Sequence, residues 1–391
     1  MVDRRTFLSL TAASALAQKQ APGITSELVF PLESWHNHSS SIVELPNGDL
    51  FVCWFHGSGE RTADDVLIMA ARWSKRTGKW SEPFDLVDTQ NFPDTNPTLF
   101  LDSKKRLWLF WPAILANEWE TALMKYKVSS DYLAEGPPKW SDGDNILIVP
   151  KNMVERTQEV LKRDLKSTPF GQYPKRLVAM ASDKLASRLG WFTRTHPMEL
   201  PNGRIIVPLY SDGFSFSLMA ISDDGGRNWF GSEPIVGYGN IQPSLVRKKD
   251  GAIVAFMRDN GPPPKRIHMS VSKDNGVSWT PAEDTVLPNP GASVEAIGLR
   301  DGRWIIVYND LERGRNSLAV SMSDDEGATW KWTRHVEKQP EGQFHYPSVI
   351  QAADGSVHVT YSYFVMGADK KQGKSIKHAR FMPDWMTAAS A

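Results

Sequence analysis

An eight-residue phrase that occurs three times constrains the fold of this chain more than any other feature. It reads Ser-x-Asp-x-Gly-x-(Asn/Ser/Thr)-Trp and stands at residues 222–229, 272–279 and 323–330. Its closing tryptophans are 50 and 51 residues apart. A repeat of about 50 residues suits one four-stranded blade of a β-propeller better than a helical pair or a leucine-rich unit. The chain is therefore predicted to be an all-β repeat protein.

Each residue type in the phrase suits a tight turn. The aspartate can accept hydrogen bonds from backbone N–H groups, the glycine can adopt a positive φ, and the tryptophan can bury a large apolar face. These residues are predicted to stabilise the blades rather than to contact a substrate.

A second pattern recurs six times: an apolar strand, a polar turn that usually contains Asn or Asp followed by Gly, and another apolar strand. It spans residues 41–52, 97–110, 197–208, 243–256, 294–307 and 347–360. We therefore expect a six-bladed β-propeller over residues 25–385, in which the first two blades have eroded boxes that end at Trp80 and Trp140. The regular spacing of the repeats breaks at about 141–190, where the apolar residues of 152–165 have a helix-like pattern. A partly helical insertion is therefore expected between blades two and three.

Composition limits the classes of function. The 391 residues include 45 basic and 45 acidic side chains, and 41% are hydrophobic. This length allows one large domain with a substantial core, while the balanced charge gives no support for nucleic acid or an anionic membrane surface as a partner. Cys53 is the only cysteine, so no intrachain disulfide can form, and its apolar neighbours predict a buried strand residue.

The N-terminus has the pattern of an export signal. Arg4 and Arg5 precede a short apolar run, and Ala15 and Ala17 form a small-x-small site. We expect a Tat-type signal peptide over residues 1–17 and a periplasmic or secreted protein. No apolar segment reaches the roughly 20 residues that a transmembrane helix needs, so no membrane span is predicted.

Polar residues precede each predicted innermost strand, where the blades of a propeller meet at the central channel. The clusters lie at 35–38, 94–96, 194–196, 240–242, 293–295 and 344–346. A purely structural propeller does not need so many polar groups there. A functional site in the channel is therefore predicted, with Asn96, His38 and Gln242 among its residues.

The loop at residues 56–65 and two strand ends add candidate chemistry. The loop contains Glu60 and Arg61 as well as the neighbouring carboxyl groups of Asp64 and Asp65, which is the composition expected around a general acid. We predict Asp65 or Asp64 as the proton donor; the alternative is a solvated acidic loop. Arg258 and Tyr210 end the corresponding strands of later blades, and a cation with hydroxyls suits a carboxylated sugar.

The three boxes resemble the Asp-boxes of the sialidase (BNR-repeat) superfamily, and the resemblance covers roughly residues 28–381. It implies a six-bladed propeller that hydrolyses terminal sialic acids with a tyrosine nucleophile assisted by glutamate, an aspartate acid/base and three arginines that hold the substrate carboxylate. By position, the resemblance makes Tyr346 the nucleophile, Asp65 or Asp64 the acid/base, and Arg258 one of the arginines.

The chain also departs from that pattern. Gln242 stands where the assisting glutamate is expected, Asn37 or His38 where the first-blade arginine is expected, and Glu295 where the blade-five arginine is expected. Either Glu295 has taken the role of the glutamate or the chemistry differs. The phrases at 38–45, 54–61, 194–197 and 346–351 are most similar to the exported bacterial predicted-neuraminidase branch.

Three functions follow as hypotheses. The first is an exported, exo-acting, sialidase-like glycoside hydrolase that removes a terminal acidic sugar. Its predicted catalytic residues are Tyr346, Asp65, Asp64 and Glu295. Its predicted substrate-binding residues are Arg258, Arg194, His196, His38, Glu60, Arg61, Gln242, Asn96 and Tyr210. The second is a polysaccharide lyase acting on uronate-containing glycans, and the third a carbohydrate-binding propeller without catalysis. Each takes a glycan as partner. No cofactor and no metal are predicted, because the histidines lack a short ligand spacing.

Overall fold

Six antiparallel sheets follow one another around a central channel in the computed structural model, which describes residues 23–164, 173–367 and 370–388. The predicted signal peptide at 1–17 lies outside the described residues. Strand β1 (Ile24–Leu28) comes first. The first three blades consist of β2 (His36–Glu44), β3 (Leu50–Gly57), β4 (Leu67–Ser74), β5 (Lys79–Trp80) and β6 (Phe84–Val87); β7 (Thr98–Leu101), β8 (Leu107–Ile114), β9 (Ala122–Ser129) and β10 (Asp142–Asn145); and β11 (Met198–Glu199), β12 (Ile205–Ser211), β13 (Phe216–Ser222) and β14 (Phe230–Gly231).

The remaining three blades keep the four-stranded plan. They consist of β15 (Asn240–Arg247), β16 (Ile253–Asp259), β17 (Arg266–Ser272) and β18 (Glu283–Pro288); β19 (Glu295–Gly298), β20 (Trp304–Tyr308), β21 (Ser317–Ser323) and β22 (Trp332–Lys338); and β23 (Gln343–Gln351), β24 (Val357–Met366), β25 (Gln372–Phe381) and the returning β1. The predicted six-bladed propeller of the sialidase type is confirmed.

The first strand closes the ring. β1 pairs antiparallel with β25, in register from Ile24 opposite Phe381 to Leu28 opposite Lys377. The last blade therefore takes three strands from the end of the chain and one from its beginning. Hydrogen bonds between the two ends of the propeller therefore hold the ring closed, with β1 covering the edge of β25 as the outermost strand of blade six.

The middle strands of the blades are buried on both faces. Every residue of β8, β12, β13 and β21 is buried. Neighbouring blades cover both sides of these strands, which is why β8 and β12 are almost continuous apolar runs instead of alternating ones. Cys53 lies in β3 and is buried, as predicted.

Three helices occupy the predicted insertion. They are α1 (Met153–Asp164), α2 (Tyr173–Ser182) and α3 (Lys184–Arg188), between β10 and β11. Leu161 and Leu177 join a hydrophobic cluster that includes Trp108 and Trp191 of the adjoining blades. The insertion thus packs on the outside of blades two and three. Short 3₁₀ helices span Trp119–Thr121 and Pro383–Met386. In the described ranges, no helix is long and apolar enough to cross a membrane.

The repeated boxes form one hydrogen-bonded turn. In the first box Asp224 accepts hydrogen bonds from the backbone N–H of Asn228 at 2.9 Å and from its side-chain amide at 2.6 Å, while the Gly226 N–H donates to the Ser222 hydroxyl at 2.8 Å. The equivalent bonds recur in the second and third boxes. Hydrogen bonds to the charged form lower the pKa of Asp224 to about 2. The boxes are structural, as predicted.

The box glycine should be the most sensitive position of each turn. Gly226 has a φ of +94°, and a Cβ there would lie 2.4 Å from the Trp108 ring, whereas Gly203 has a φ of +84° with open space around it. Gly203→Ala should lose about 1–2 kcal/mol of unfolding free energy through backbone strain alone. Gly226→Ala should lose a further ~1–3 kcal/mol through overpacking. Urea unfolding of both variants checks this, and equal losses would contradict the packing argument.

Candidate active site

Three of the innermost strands carry a bulge close to their first residue. The register shifts between His38 and Ser41 in β2, between Ile241 and Ser244 in β15, and between His345 and Ser348 in β23. Inside these bulges Ser39, Gln242 and Tyr346 have φ values of 57°, 58° and 57°. Bulges redirect side chains, and strained non-glycine backbone of this kind is concentrated at functional sites.

Two of these three residues, Gln242 and Tyr346, line a cavity of about 240 Å³. Seven of the predicted site residues line it, together with three that were not predicted. The lining consists of His38, Glu60, Asn96, Tyr210, Gln242, Arg258 and Tyr346, and of Phe55, Trp119 and Asp212.

Hydrogen-bond donors surround the hydroxyl of Tyr346. Arg258 Nη1 donates to it at 2.9 Å and Gln242 Nε2 at 3.1 Å. The same Gln242 nitrogen lies 3.2 Å from the Tyr210 hydroxyl, to which Asn96 also donates at 3.0 Å. Among the described residues, no carboxylate is hydrogen-bonded to the Tyr346 hydroxyl. This arrangement stabilises negative charge on the phenol oxygen.

Cations and a neutral imidazole flank the ring of Tyr346. The guanidinium carbons of Arg194 and Arg315 lie 5.1 and 5.8 Å from its centroid, and the His38 ring lies 4.1 Å away. Burial, His345 and nearby cations hold the pKa of His38 well below its ordinary value. His38 is therefore uncharged at neutral pH and does not replace the missing first-blade arginine as a cation.

Arg194 supports the site from below. It is only 1% exposed, and its Nη2 and Nη1 atoms donate to the carbonyls of Pro347 at 2.7 Å and Ser40 at 3.3 Å. Its predicted contact with substrate has no counterpart in the described cavity lining. Its position instead ties the bulges of blades one and six beneath the ring of Tyr346.

Glu295 and His196 belong to the same buried support. Glu295 Oε1 accepts the His196 backbone N–H at 2.8 Å and lies 2.9 Å from its Nδ1, while Oε2 accepts the Val349 N–H at 2.8 Å. Burial opposes the charge on each partner, yet the pair lowers the pKa of Glu295 and raises that of His196. Both carboxylate oxygens are thus engaged away from Tyr346. The structure places neither residue in the cavity.

Two carboxyl groups do line the cavity. Burial raises the pKa of Glu60, but His36, whose Nε2 lies 3.1 Å from Oε1, and the arginines Arg315 and Arg61 bring it below its ordinary value. Asp212 follows β12 directly, and burial raises its pKa although Arg258 opposes the shift. The pKa values of the two acids are therefore shifted in opposite directions.

The predicted acid/base residues lie outside this cavity. Asp65 Oδ1 accepts the backbone N–H of Ser58 at 3.1 Å and its hydroxyl at 2.9 Å, and Asp64 Oδ1 accepts Asn117 Nδ2 at 2.8 Å. Asn117 donates as well to the Arg61 carbonyl at 2.9 Å. This loop therefore holds the connection between β8 and β9. Its catalytic role stays a prediction that the geometry does not favour.

Arg61 lies at the rim of the cavity. Its guanidinium carbon is 5.2 Å from the centre of the Trp119 ring, and its Nε is 3.6 Å from a carboxylate oxygen of Glu118. Trp119 itself lines the cavity. Arg61 thus contacts the cavity lining through the ring of Trp119.

Sequence reasoning missed Asp212, Arg315 and Trp119. Asp212 is two residues beyond Tyr210, which had been singled out, and Arg315 lies in the β20–β21 connection that corresponds to the loop after Arg258 in blade four. Aligning these connections would have pointed to Arg315, an arginine of blade five whose guanidinium carbon lies 5.8 Å from the centre of the Tyr346 ring. For Trp119 the sequence offered no signal.

The fold and the tyrosine–arginine cavity define a six-bladed propeller of the sialidase superfamily. Residues 48–160 and 172–359 match the family described as BNR repeat-like domain, and the chain belongs to that family. The superfamily resemblance noted in the sequence is confirmed.

Curated relatives match over part of their length. An anhydrosialidase from Macrobdella decora is 24% identical over 182 residues, which cover 41% of this chain and 23% of the relative. A sialidase from Vibrio cholerae is 29% identical over 164 residues, or 33% of this chain and 21% of the relative. The chain therefore aligns with less than a quarter of either protein.

Solved structures share the fold over nearly the whole chain. The leech intramolecular trans-sialidase superposes with a TM-score of 0.69 at 15% identity and covers 94% of this chain and 71% of its own. The intramolecular trans-sialidase of Ruminococcus gnavus superposes with a TM-score of 0.66 at 14% identity, and the match covers 90% of this chain and 96% of the other. A Dyadobacter fermentans protein of unknown function superposes with a TM-score of 0.66 at 16% identity, and the match covers 91% of this chain and 99% of the other. At these identities the likeness shows the fold alone.

Proposed function

We propose that this protein is an exported, exo-acting glycoside hydrolase of the sialidase-like class that removes a terminal acidic sugar. The observation that carries the proposal is the Tyr346 hydroxyl, held by Arg258 and Gln242 and lining a cavity that Arg315 approaches. The cavity is small, about 240 Å³, which suits one terminal residue rather than the middle of a chain. The Tat-type signal predicted from residues 1–17 supplies the route of export.

The site can divide the reaction between its residues. Arg258 and Arg315 pair with the substrate carboxylate, and a neutral phenol approaches such a substrate without the repulsion that a carboxylate nucleophile would meet. The Tyr346 oxygen forms a bond to the anomeric carbon as the bond to the leaving oxygen breaks; the phenolic proton passes to Glu60, and a second acid of the cavity supplies the proton with which the leaving group departs as an alcohol. Water then attacks the same carbon and gives a proton back to that second acid, while the bond to Tyr346 breaks and Glu60 returns its proton to the phenol oxygen.

A panel of sialosides and uronate-capped oligosaccharides tests this assignment. The purified protein is incubated with each compound, and products are read by mass spectrometry. Release of a free acidic sugar with the mass of the hydrolysis product supports the hydrolase. Binding without any product, unchanged in Tyr346→Phe, contradicts it and indicates a binding propeller.

One observation favours a lyase as the second candidate. Tyr346 and Tyr210 share the amide of Gln242, Asn96 donates to Tyr210, and no carboxylate of the described part of the chain joins them. In a lyase, amide and arginine donors neutralise a uronate carboxylate so that a phenol can remove the neighbouring proton. The same panel separates the two reactions, because a lyase product is lighter by one water than the hydrolysis product and absorbs in the ultraviolet.

Arg315 should discriminate acidic from neutral substrates. Arg315→Met should lower kcat/KM for the acidic glycoside by about 10- to 100-fold, because a hydrogen bond to a charged group contributes ~1.5–3 kcal/mol. The neutral amide of the same sugar should be affected much less. Arg313→Met is the matched control, since Arg313 lies exposed in the same connection. Equal losses on both substrates would contradict carboxylate recognition.

A further inference from the structure

We propose that Asp212, from blade three, is the general acid and base of the reaction, in place of the blade-one aspartates Asp64 and Asp65. This inference rests on the proposed hydrolase function and adds to it the group that protonates the leaving oxygen.

The position of Asp212 carries the argument. It is the first residue after β12 and lines the cavity with Tyr346 and Arg258. Its backbone is fixed, because the Ser215 N–H donates to the Ser211 carbonyl at 2.8 Å and the Ser215 hydroxyl donates to the Asp212 carbonyl at 3.3 Å. Its carboxyl oxygens have no hydrogen-bond donor among the residues that the structure describes. A fixed, unpaired carboxyl at a cavity wall is available to a ligand.

The competing carboxyl groups are already engaged. Asp65 is bonded to Ser58 and Asp64 to Asn117, both outside the cavity. Glu60 lines the cavity but contacts His36, which favours its charged form. Asp212 is thus the cavity carboxyl that can hold and release a proton without breaking an existing contact.

Electrostatics agree with that role. Burial raises the pKa of Asp212; Arg258 and Arg61 oppose this shift, while the negative charges of Glu120 and Glu60 add to it. The pKa of Glu60 is lowered instead. Two acids whose pKa values are pushed apart in one cavity are the arrangement from which acid and base roles are assigned.

The proton balance is complete with these groups. In the first step Asp212 gives its proton to the glycosidic oxygen, so the leaving group departs as a neutral alcohol and Asp212 becomes a carboxylate. In the second step this carboxylate takes a proton from the attacking water, whose oxygen binds the anomeric carbon. Asp212 ends in its starting state, and Glu60 exchanges only the proton of Tyr346.

Leaving-group dependence tests the assignment. Asp212→Asn, Asp65→Asn and the exposed control Asp88→Asn are assayed on two glycosides of one acidic sugar, one with an alkyl alcohol and one with an acidic nitrophenol. Asp212→Asn should lose about 10²–10⁴-fold in kcat/KM, which reports departure of the leaving group, on the alkyl glycoside and about tenfold or less in kcat/KM on the nitrophenyl glycoside, whose leaving group needs no proton. The same selective loss in Asp65→Asn, or equal losses on both substrates in Asp212→Asn, would overturn the proposal.

A second measurement needs no substrate. In protein labelled with ¹³C at the aspartate carboxyl, the resonance that is absent from Asp212→Asn should titrate above the ordinary value of 3.8. Titration at or below that value overturns the acid role. If the wild type releases sugar and Asp212→Asn keeps its full rate, this inference fails while the hydrolase stands. If the wild type releases nothing, the hydrolase fails, and the titration still decides whether Asp212 holds a proton.

Discussion

Replacing Tyr346 by phenylalanine should reduce turnover of the acidic glycoside by about 10³-fold or more, the scale seen when an enzyme loses its nucleophile. The substitution removes only the oxygen that Arg258 and Gln242 contact, and the ring keeps its packing on His38 and Arg194. Unfolding free energy should therefore fall by only ~1 kcal/mol. Initial rates and urea unfolding on the same preparation check both statements.

Tyr210→Phe is the matched control for this result. It deletes a second hydroxyl bonded to the same Gln242 amide, and we expect about a tenfold loss of rate, the scale of one hydrogen bond. A covalent adduct should also form on the wild type with a fluorinated substrate analogue and be absent from Tyr346→Phe by intact mass. Comparable losses in the two variants, or an adduct that persists without the Tyr346 hydroxyl, would remove Tyr346 as nucleophile.

The buried residues that support Tyr346, namely Arg194, Glu295 and His196, should contribute strongly to the free energy of unfolding. Arg194→Met should lower the unfolding free energy by about 3–5 kcal/mol, since Glu295 is then left buried beside fewer positive charges. Adding Glu295→Gln to Arg194→Met should recover part of that loss. The exposed Arg76→Met is the control. A loss for Arg194→Met no larger than for Arg76→Met, measured by urea unfolding, would show that the charges are not coupled.

The same support predicts a pH window for stability. The pKa of Glu295 lies below its ordinary 4.5 in the folded protein, so its contribution is present above pH 4.5 and lost as the pH falls through the lowered value. The pKa of His196 lies above its ordinary 6.5, so its contribution is present below pH 6.5 and lost as the pH rises through the raised value. The difference in Tm between wild type and Glu295→Gln should be largest between pH 4.5 and 6.5. A difference that does not vary with pH would contradict this.

The architecture could be predicted from sequence because its signals are local. Each box contains its own aspartate, its own turn glycine and its own tryptophan within eight residues, and every hairpin follows from neighbouring apolar runs. The sequence also located the innermost strands, and hence Tyr346, Gln242 and Asn96, because chain order fixes which strand of a blade meets the channel.

Which acids line the cavity could not be predicted in this way. Asp65 and Asp64 are predicted to be catalytic because they share a loop with Glu60, but which side chain of a loop lines a cavity depends on partners from other blades. Asn117, between two strands of blade two, donates a hydrogen bond to the Asp64 carboxylate. Glu295 is likewise committed to His196, 99 positions away in the chain. Such pairings arise only once the ring has closed.

The pairing of β1 with β25 has a consequence for the order of events during synthesis. Ile24 lies opposite Phe381, so the partner of the first strand emerges from the ribosome only when almost the whole propeller has been made. Until then blade six lacks β25, the strand that lies between β1 and β24, so β1 has no partner to pair with. Contacts between such distant residues form slowly because the intervening chain must first be ordered. Docking of the N-terminal strand is thus the step that completes the protein, and a nascent chain cut short before β25 keeps an unclosed ring.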